Sequence, residues 1–233
     1  MAIRTYTFND VSSLVHHLEH GGEAHFYRGQ AQDWPLVASI GRVGRGGFEE
    51  LKDFEEQILH EFRRLASPYY ANPPASMAEW LLHAQHHGLP TRLLDWTTNP
   101  LKALFFAVQD DRNKADGVVW SLDPLNVEWN DPLPDLTAEL HYFHRPAHLN
   151  TRIVAQESAF LVFPLLEGQV DMQPPNLEDG AIYGSVDRVI IPGASKTKIK
   201  RFLAPLGIHA LSIYPSVEAV AASIREQFYM DDK

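Results

Sequence analysis

Apolar side chains recur at intervals of three and four through residues 48–66, at Phe48, Leu51, Phe54, Ile58, Leu59, Phe62 and Leu65, the spacing of one core-facing helix stripe. The charges agree with the chain direction. Glu49, Glu50, Asp53, Glu55 and Glu56 precede Arg63 and Arg64, as the helix dipole favours. A second stripe, Met77, Trp80, Leu81 and Ala84, follows the capping-box pair Ser76 and Glu79 and stops at Gly88 before Pro90. A third, Leu101, Leu104, Phe105 and Val108, begins behind Asn99 and Pro100, a capping residue and a first-turn proline. The pattern also predicts a first helix carrying Val11, Leu14, Val15 and Leu18, capped by Asn9-Asp10 and ended by Gly21-Gly22, with closing helices over residues 195–206 and 216–228.

Shorter apolar runs bounded by Gly, Pro or Asp read as strands over residues 24–28, 117–122, 159–163, 188–191 and 209–214. Residues 123–149 and 166–180 carry no readable period, and long irregular stretches in compact domains are usually lids, binding loops or disorder. No repeat and no Ser/Gly linker divides the sequence. The expectation is one domain over residues 1–233. Its fold class is α/β (α+β), compact, with a small mixed or antiparallel sheet flanked by helices.

With 45% hydrophobic and 21% charged residues the chain can bury a core and lacks the bias of disorder. The absence of cysteine removes disulfides, thiolate nucleophiles and Cys-based metal sites. The N-terminal residues lack the apolar core of a signal peptide, and no run of about 18 apolar residues could span a bilayer. A cytoplasmic location without membrane contact is expected. The formal charge of −10 repels phosphate backbones as a whole. The one dense basic group, Lys196, Lys198, Lys200 and Arg201, alternates with Ile199, Phe202 and Leu203 and reads as the wet face of an amphipathic helix.

The candidate chemistry concentrates in residues 84–100, where polar and ionisable groups sit between two apolar helices and must be satisfied or functional. Arg92 and Asp95 are close enough to pair. Thr97, Thr98 and Asn99 lie at or just before a helix N-terminus, where free N–H groups favour an anion. Arg28 has two open readings, a buried ion pair with Asp95 or direct ligand binding. His86 and His87 diverge by about 100° on a helix and belong to no His-Glu-x-x-His motif, so no metal is expected. His86 is read as a general acid or base, or as a hydrogen-bond partner. The glycines 41, 44, 46 and 47, interleaved with Arg42 and Arg45, lack the Lys-Ser/Thr end of a P-loop and read as a connector.

The same residues carry a family resemblance. Phe26-Tyr27-Arg28-Gly29-Gln30, followed by Trp34-Pro35-Leu36 and Ser39, resembles the name-giving motif of the FRG domain family. Residues 84–107, from Ala84-Gln85-His86-His87-Gly88-Leu89-Pro90-Thr91-Arg92-Leu93-Leu94-Asp95-Trp96-Thr97 to Ala107, resemble its strongest signature. Later pieces also fit: Arg152-Ile153 with Gln156 and Phe160, residues 189–192, residues 206–208, and Ile213-Tyr214-Pro215. The resemblance thus spans nearly the whole chain. Glu157-Ser158 departs from it, since relatives read Gln-Gly there.

A second resemblance is to ADP-ribosyltransferases of the Arg-Ser-Glu type, through Arg28, then Thr97 with Ala103 to Ala107, then Gln156 or Glu157, in that order. It implies an ADP-ribosyltransferase-like fold and NAD as substrate, without a metal. Arg28 would hold phosphate, Thr97 would orient the ribose, and Gln156 or Glu157 would stand near the scissile bond. Gly29, Gln30, Gln85, Thr91, Arg92, Asp95, Trp96 and Arg152 are the expected ligand-binding residues. The implied activity is an intracellular transferase or NAD glycohydrolase serving as a toxin or defence effector. The alternative is a non-catalytic module that recognises a nucleotide or other phosphate-bearing ligand through the same pocket.

Overall fold

The computed structural model describes residues 2–20, 26–125, 127–128, 133–146, 151–180 and 183–229. Its elements, in chain order, are β1 (Arg4–Thr7), α1 (Val11–His20), β2 (Phe26–Gln30), α2 (Leu51–Ala66), α3 (Met77–His86), β3 (Leu93–Thr97), α4 (Pro100–Val108), β4 (Gly117–Pro124), β5 (Val127–Glu128), β6 (Tyr142–His144), α5 (Thr151–Gln156), β7 (Ser158–Val162), β8 (Tyr183–Ile191), α6 (Lys196–Leu203), α7 (Ala210–Ile213) and α8 (Val217–Tyr229). The described strands form one 8-stranded sheet in the order β1-β8-β4-β2-β3-β7-β6-β5. β1 runs parallel to β8 and β5 parallel to β6, while the other neighbours are antiparallel. The fold is therefore α/β with a mixed, largely antiparallel sheet.

The two-residue period of the strands sorts their side chains cleanly. Phe26, Leu94, Trp96, Val118, Trp120 and Leu161 enter one core, covered by residues 36–40 and by Leu165, Met172 and Leu177. On the other face the helices divide the sheet between them. Tyr27, Val119, Val189 and Ile191 pack with α1, α4 and α6, and Leu93, Phe160 and Val162 pack with α2 and α3. The unperiodic residues 166–180 thus contribute to the cover of a sheet face.

Helix ends follow their predicted caps. The Ser76 hydroxyl accepts from Glu79 N at 3.2 Å, and Asn99 Oδ1 accepts from Leu101 N at 3.0 Å and Lys102 N at 3.3 Å. α2 starts at Leu51 and not at residue 48, because Phe48 belongs to a preceding turn and its ring packs on Phe54 at 5.8 Å. Gly21-Gly22, the predicted stop of α1, lie outside the described residues, as do the first positions of the strand predicted from residue 24.

Three expectations are corrected. Residues 209–214 hold the short helix α7 where a strand was expected, and the Ser212 hydroxyl accepts from His209 N at 3.0 Å to close that turn. Residues 93–97, absent from the expected strands, form a central one. Lys196 belongs to no wet face: it is fully buried and its Nζ donates to Ala31 O at 2.7 Å.

Gly29 shows why the chain needs a glycine in β2. A Cβ there would stand 1.7 Å from Ala103 O, so α4 lies directly on the strand. Gly117 meets Ala107 O in the same way, and the alanines at 103 and 107 are fully buried. Among the described residues no helix is long and apolar enough to cross a membrane.

Candidate functional site

β2 and β3 are neighbours joined at a single register position, Tyr27 opposite Thr97. Beyond it β2 continues to pair with β4 through Gln30, and β3 with β7 through Leu93, yet the two do not pair with each other. The sheet therefore splays in its middle. A cleft of about 1210 Å³ opens there, lined by Arg28, Gly29 and Gln30 from β2 and by Asp95, Trp96 and Thr97 from β3.

Arg28 spans the splay: its Nη1 donates to the main-chain carbonyl of Asp95. Burial pushes its guanidinium down to about 10, against the opposing pull of the nearby Asp95 carboxylate. Among the described residues its Nε has no hydrogen-bond partner, and neither do Gln30 Oε1 and Trp96 Nε1 in the same lining. Of the two readings of Arg28, the ion pair with Asp95 gives way to a bond with its backbone. The Asp95 carboxylate faces solvent and accepts from Gln85 Nε2, 3.1 Å from each oxygen.

Arg152 and Gln156 of α5 reach the same cleft. Arg152 lies over the Tyr214 ring, 5.3 Å from its centre, and its Nη1 donates to His86 O at 3.4 Å. Gln156 is buried and its Nε2 donates to Ile213 O at 3.2 Å. The Thr97 hydroxyl donates to Gln156 O at 2.6 Å and accepts from Asn99 N at 3.0 Å, tying β3, α5 and the start of α4 together. Gln85 and His86 line a smaller neighbouring cavity that shares Asp95, Arg152 and Gln156 with the cleft.

Three expected site residues are brought to neither cavity. Arg92 pairs with Glu55, Nε to Oε2 at 2.6 Å, and not with Asp95; Arg92 N also donates to Glu55 Oε1 at 2.8 Å, and both side chains are buried. Thr91 is fully buried and its hydroxyl donates to Gln85 Oε1. Glu157 points to the other side of α4's first turn, where its Oε1 accepts from Lys102 Nζ at 2.8 Å and Asn99 Nδ2 at 3.1 Å. These bonds hold its carboxyl below the usual range against the effect of burial. Nor is the N-terminus of α4 an open anion site, since Asn99 caps it and Thr98 N donates to Glu157 O at 3.0 Å.

The cleft has further walls that chemistry-led reading passed over: Trp34 and Arg42 after β2, Phe105 and Phe106 of α4, Lys200 and Arg201 of α6, and Tyr214. Trp34 and Tyr214 had a signal, because both fall in segments that resemble the family pattern. Lys200 is bound to Asp111 at 3.1 Å. The remaining basic groups, Arg28, Arg42, Arg152 and Arg201, outnumber Asp95 and Asp110, so the cleft is locally basic on a chain of charge −10. Among the described residues no group of three or more His, Asp or Glu could hold a metal ion.

A mixed sheet split by an arginine-lined cleft defines the class, an α/β domain with its site at the parting of two central strands. The model of the FRG domain family matches residues 23–116 of the chain. The match takes in β2, α2, α3, β3 and α4, hence both sides of the splay, while Arg152, Gln156 and Tyr214 lie beyond it. No curated protein and no solved structure matches the chain, so the ADP-ribosyltransferase resemblance gains no support from them.

Proposed function

We propose that the cleft binds a phosphate-bearing nucleotide, with NAD as substrate of a cytoplasmic glycohydrolase or ADP-ribosyltransferase-like enzyme. The observation that carries the reading is the half-buried Arg28 guanidinium in the splay, with an Nε that has no partner among the described residues and a solvent-facing carboxylate beside it on Asp95. A guanidinium is suited to a diphosphate, and Arg42 and Arg152 line the same cleft. Pockets of roughly 300–1,000 Å³ hold drug-sized ligands, and the 1210 Å³ here suits a dinucleotide. Trp34, Phe106 and Tyr214 offer faces for its rings.

The carboxylate this reading needs is Asp95 in place of Glu157. It would stabilise the positive charge that develops on the ribose as nicotinamide departs. Thr97, whose hydroxyl is already bonded twice, sets the strand and the cap of α4. Depleting NAD would make the protein a toxin or defence effector. Titration of the protein with NAD by calorimetry, followed by chromatography for nicotinamide, tests the reading, and absence of binding would end it.

A second reading is favoured by one observation: Thr97 and Glu157, two of the three groups on which the transferase resemblance rests, are committed to structural bonds. A recognition module would bind the nucleotide through the same arginines and release no nicotinamide.

A further inference from the structure

Beside the cleft lies a cavity of about 50 Å³ that shares Asp95, Arg152 and Gln156 with it and adds Gln85, His86 and Ser158 as polar walls. A water needs roughly 10–15 Å³ of such space and two to four polar partners, so the cavity fits one to a few waters and nothing larger. We infer that this cavity is the station of the attacking water, with His86 as its base, so that the acceptor in the proposed NAD reaction is water and the enzyme is a glycohydrolase. The inference rests on the NAD reading given above.

His86 Nδ1 is buried and has no hydrogen-bond partner among the described residues. Burial, with help from His87, Arg152 and His83, pushes its pKa below the ordinary histidine value, so at neutral pH the ring is uncharged and can accept a proton. The charged and titratable groups facing it are His83 and His87 from its own helix and its end, Arg152 from α5 and Asp95 from β3. Asp95 belongs to both cavities, which places the carboxylate that steadies the ribosyl cation next to the water that quenches it.

In the step, the water oxygen bonds to the ribose anomeric carbon as the bond from that carbon to the nicotinamide nitrogen breaks. The bonding pair leaves on the ring nitrogen and discharges its positive charge. The proton of the water passes to the His86 ring and then to solvent. The products are nicotinamide, ADP-ribose and a proton.

The test incubates the full chain with NAD, with and without agmatine as a competing guanidine acceptor, and separates nicotinamide, free ADP-ribose and ADP-ribosyl-agmatine. Free ADP-ribose equal to the nicotinamide released is expected in both cases. His86→Gln should lower kcat by roughly 10²–10⁴-fold, the usual worth of a general base, with KM unchanged and with loss of the acidic limb of the pH profile. Ser158→Val, which fills the cavity and leaves His86 in place, should lower kcat in the same way. Linked product without free ADP-ribose would overturn the role of water and leave the NAD reading standing, as would full hydrolysis by both variants. NAD bound without any nicotinamide release would also overturn the inference and leave the site in place. No NAD binding at all would overturn both.

Discussion

The Arg28 guanidinium donates to the main-chain carbonyl of Asp95, while the Asp95 carboxylate is held by Gln85 Nε2 at 3.1 Å. One residue therefore serves the sheet with its backbone and the cleft with its side chain, and the two roles separate by mutation. Arg28→Ala leaves the Asp95 carbonyl short of a donor inside the splay and should cost about 1–3 kcal/mol of stability. It should also weaken nucleotide binding by at least about 30-fold, the loss of a charge-assisted contact. Asp95→Asn keeps the carbonyl, so it should melt with the wild type while turnover falls. Melting curves and NAD titration of both variants check this. An Arg28→Ala protein that binds NAD like the wild type would remove Arg28 from the site.

The contact between Gly29 and α4 makes a second pair of substitutions informative. Gly29→Ala places a methyl against the backbone carbonyl of Ala103 at 1.7 Å, so the helix must lift from the strand. A loss of about 3 kcal/mol, the upper end of the usual range for overpacked cores, is expected, with poor soluble yield. Gly88→Ala meets no atom within 4 Å and is strained only by its φ of +81°. It should cost about 1–2 kcal/mol and fold. Equal stability of the two variants, measured by urea denaturation, would contradict this account of the Arg-Gly motif.

Much of the helical layer was legible because its signals are local. The Ser76 cap, the Asn99-Pro100 start and the stripe at Leu51 and Leu59 need only a few residues each and appear at those places, while Leu65, predicted on the same stripe, is exposed. Arg28 and the 93–97 segment also converge on one cleft, as their shared resemblance implied. Pairing partners were not legible, because a charge in the sequence carries no direction. Arg92 and Asp95 are three positions apart and lie on opposite sides of a strand, so Arg92 turns to Glu55 in the core while Asp95 turns to solvent. Glu157 failed for a similar reason: its left-handed φ of +47° swings the side chain toward Lys102. The 209–214 run is apolar and short, a length at which strand and helix patterns do not differ.

The Glu55–Arg92 pair sits at 1% and 4% exposure, inside the core rather than in the cleft. Removing one partner strands a buried charge, and Glu55→Ala should therefore cost about 3–5 kcal/mol, whereas the double replacement Glu55→Met with Arg92→Met should recover most of that loss. Chemical denaturation of the single and double variants reads the difference directly. NAD affinity should stay at the wild-type value in the double variant. A selective loss of affinity there would return Arg92 to the binding residues.

Three histidines give the stability a defined response to acid. Burial lowers the pKa of His83, His86 and His141 below the ordinary 6.5, with His87 adding to the effect at the first two. In the folded chain these rings stay neutral at a pH where the unfolded chain already protonates them. The unfolded state then binds more protons, so stability rises with pH in this window. The contribution is complete above 6.5 and is lost as the pH falls from there through the folded values. Each histidine can contribute up to about 1.4 kcal/mol per pH unit while it alone titrates. Urea midpoints measured from pH 7.5 to pH 5 should fall accordingly. His141→Gln, which removes a ring packed on Phe163 at 4.6 Å, should lower the midpoint at pH 7.5 but flatten its decline toward pH 5. A variant profile parallel to the wild type would show that His141 takes up its proton equally in both states.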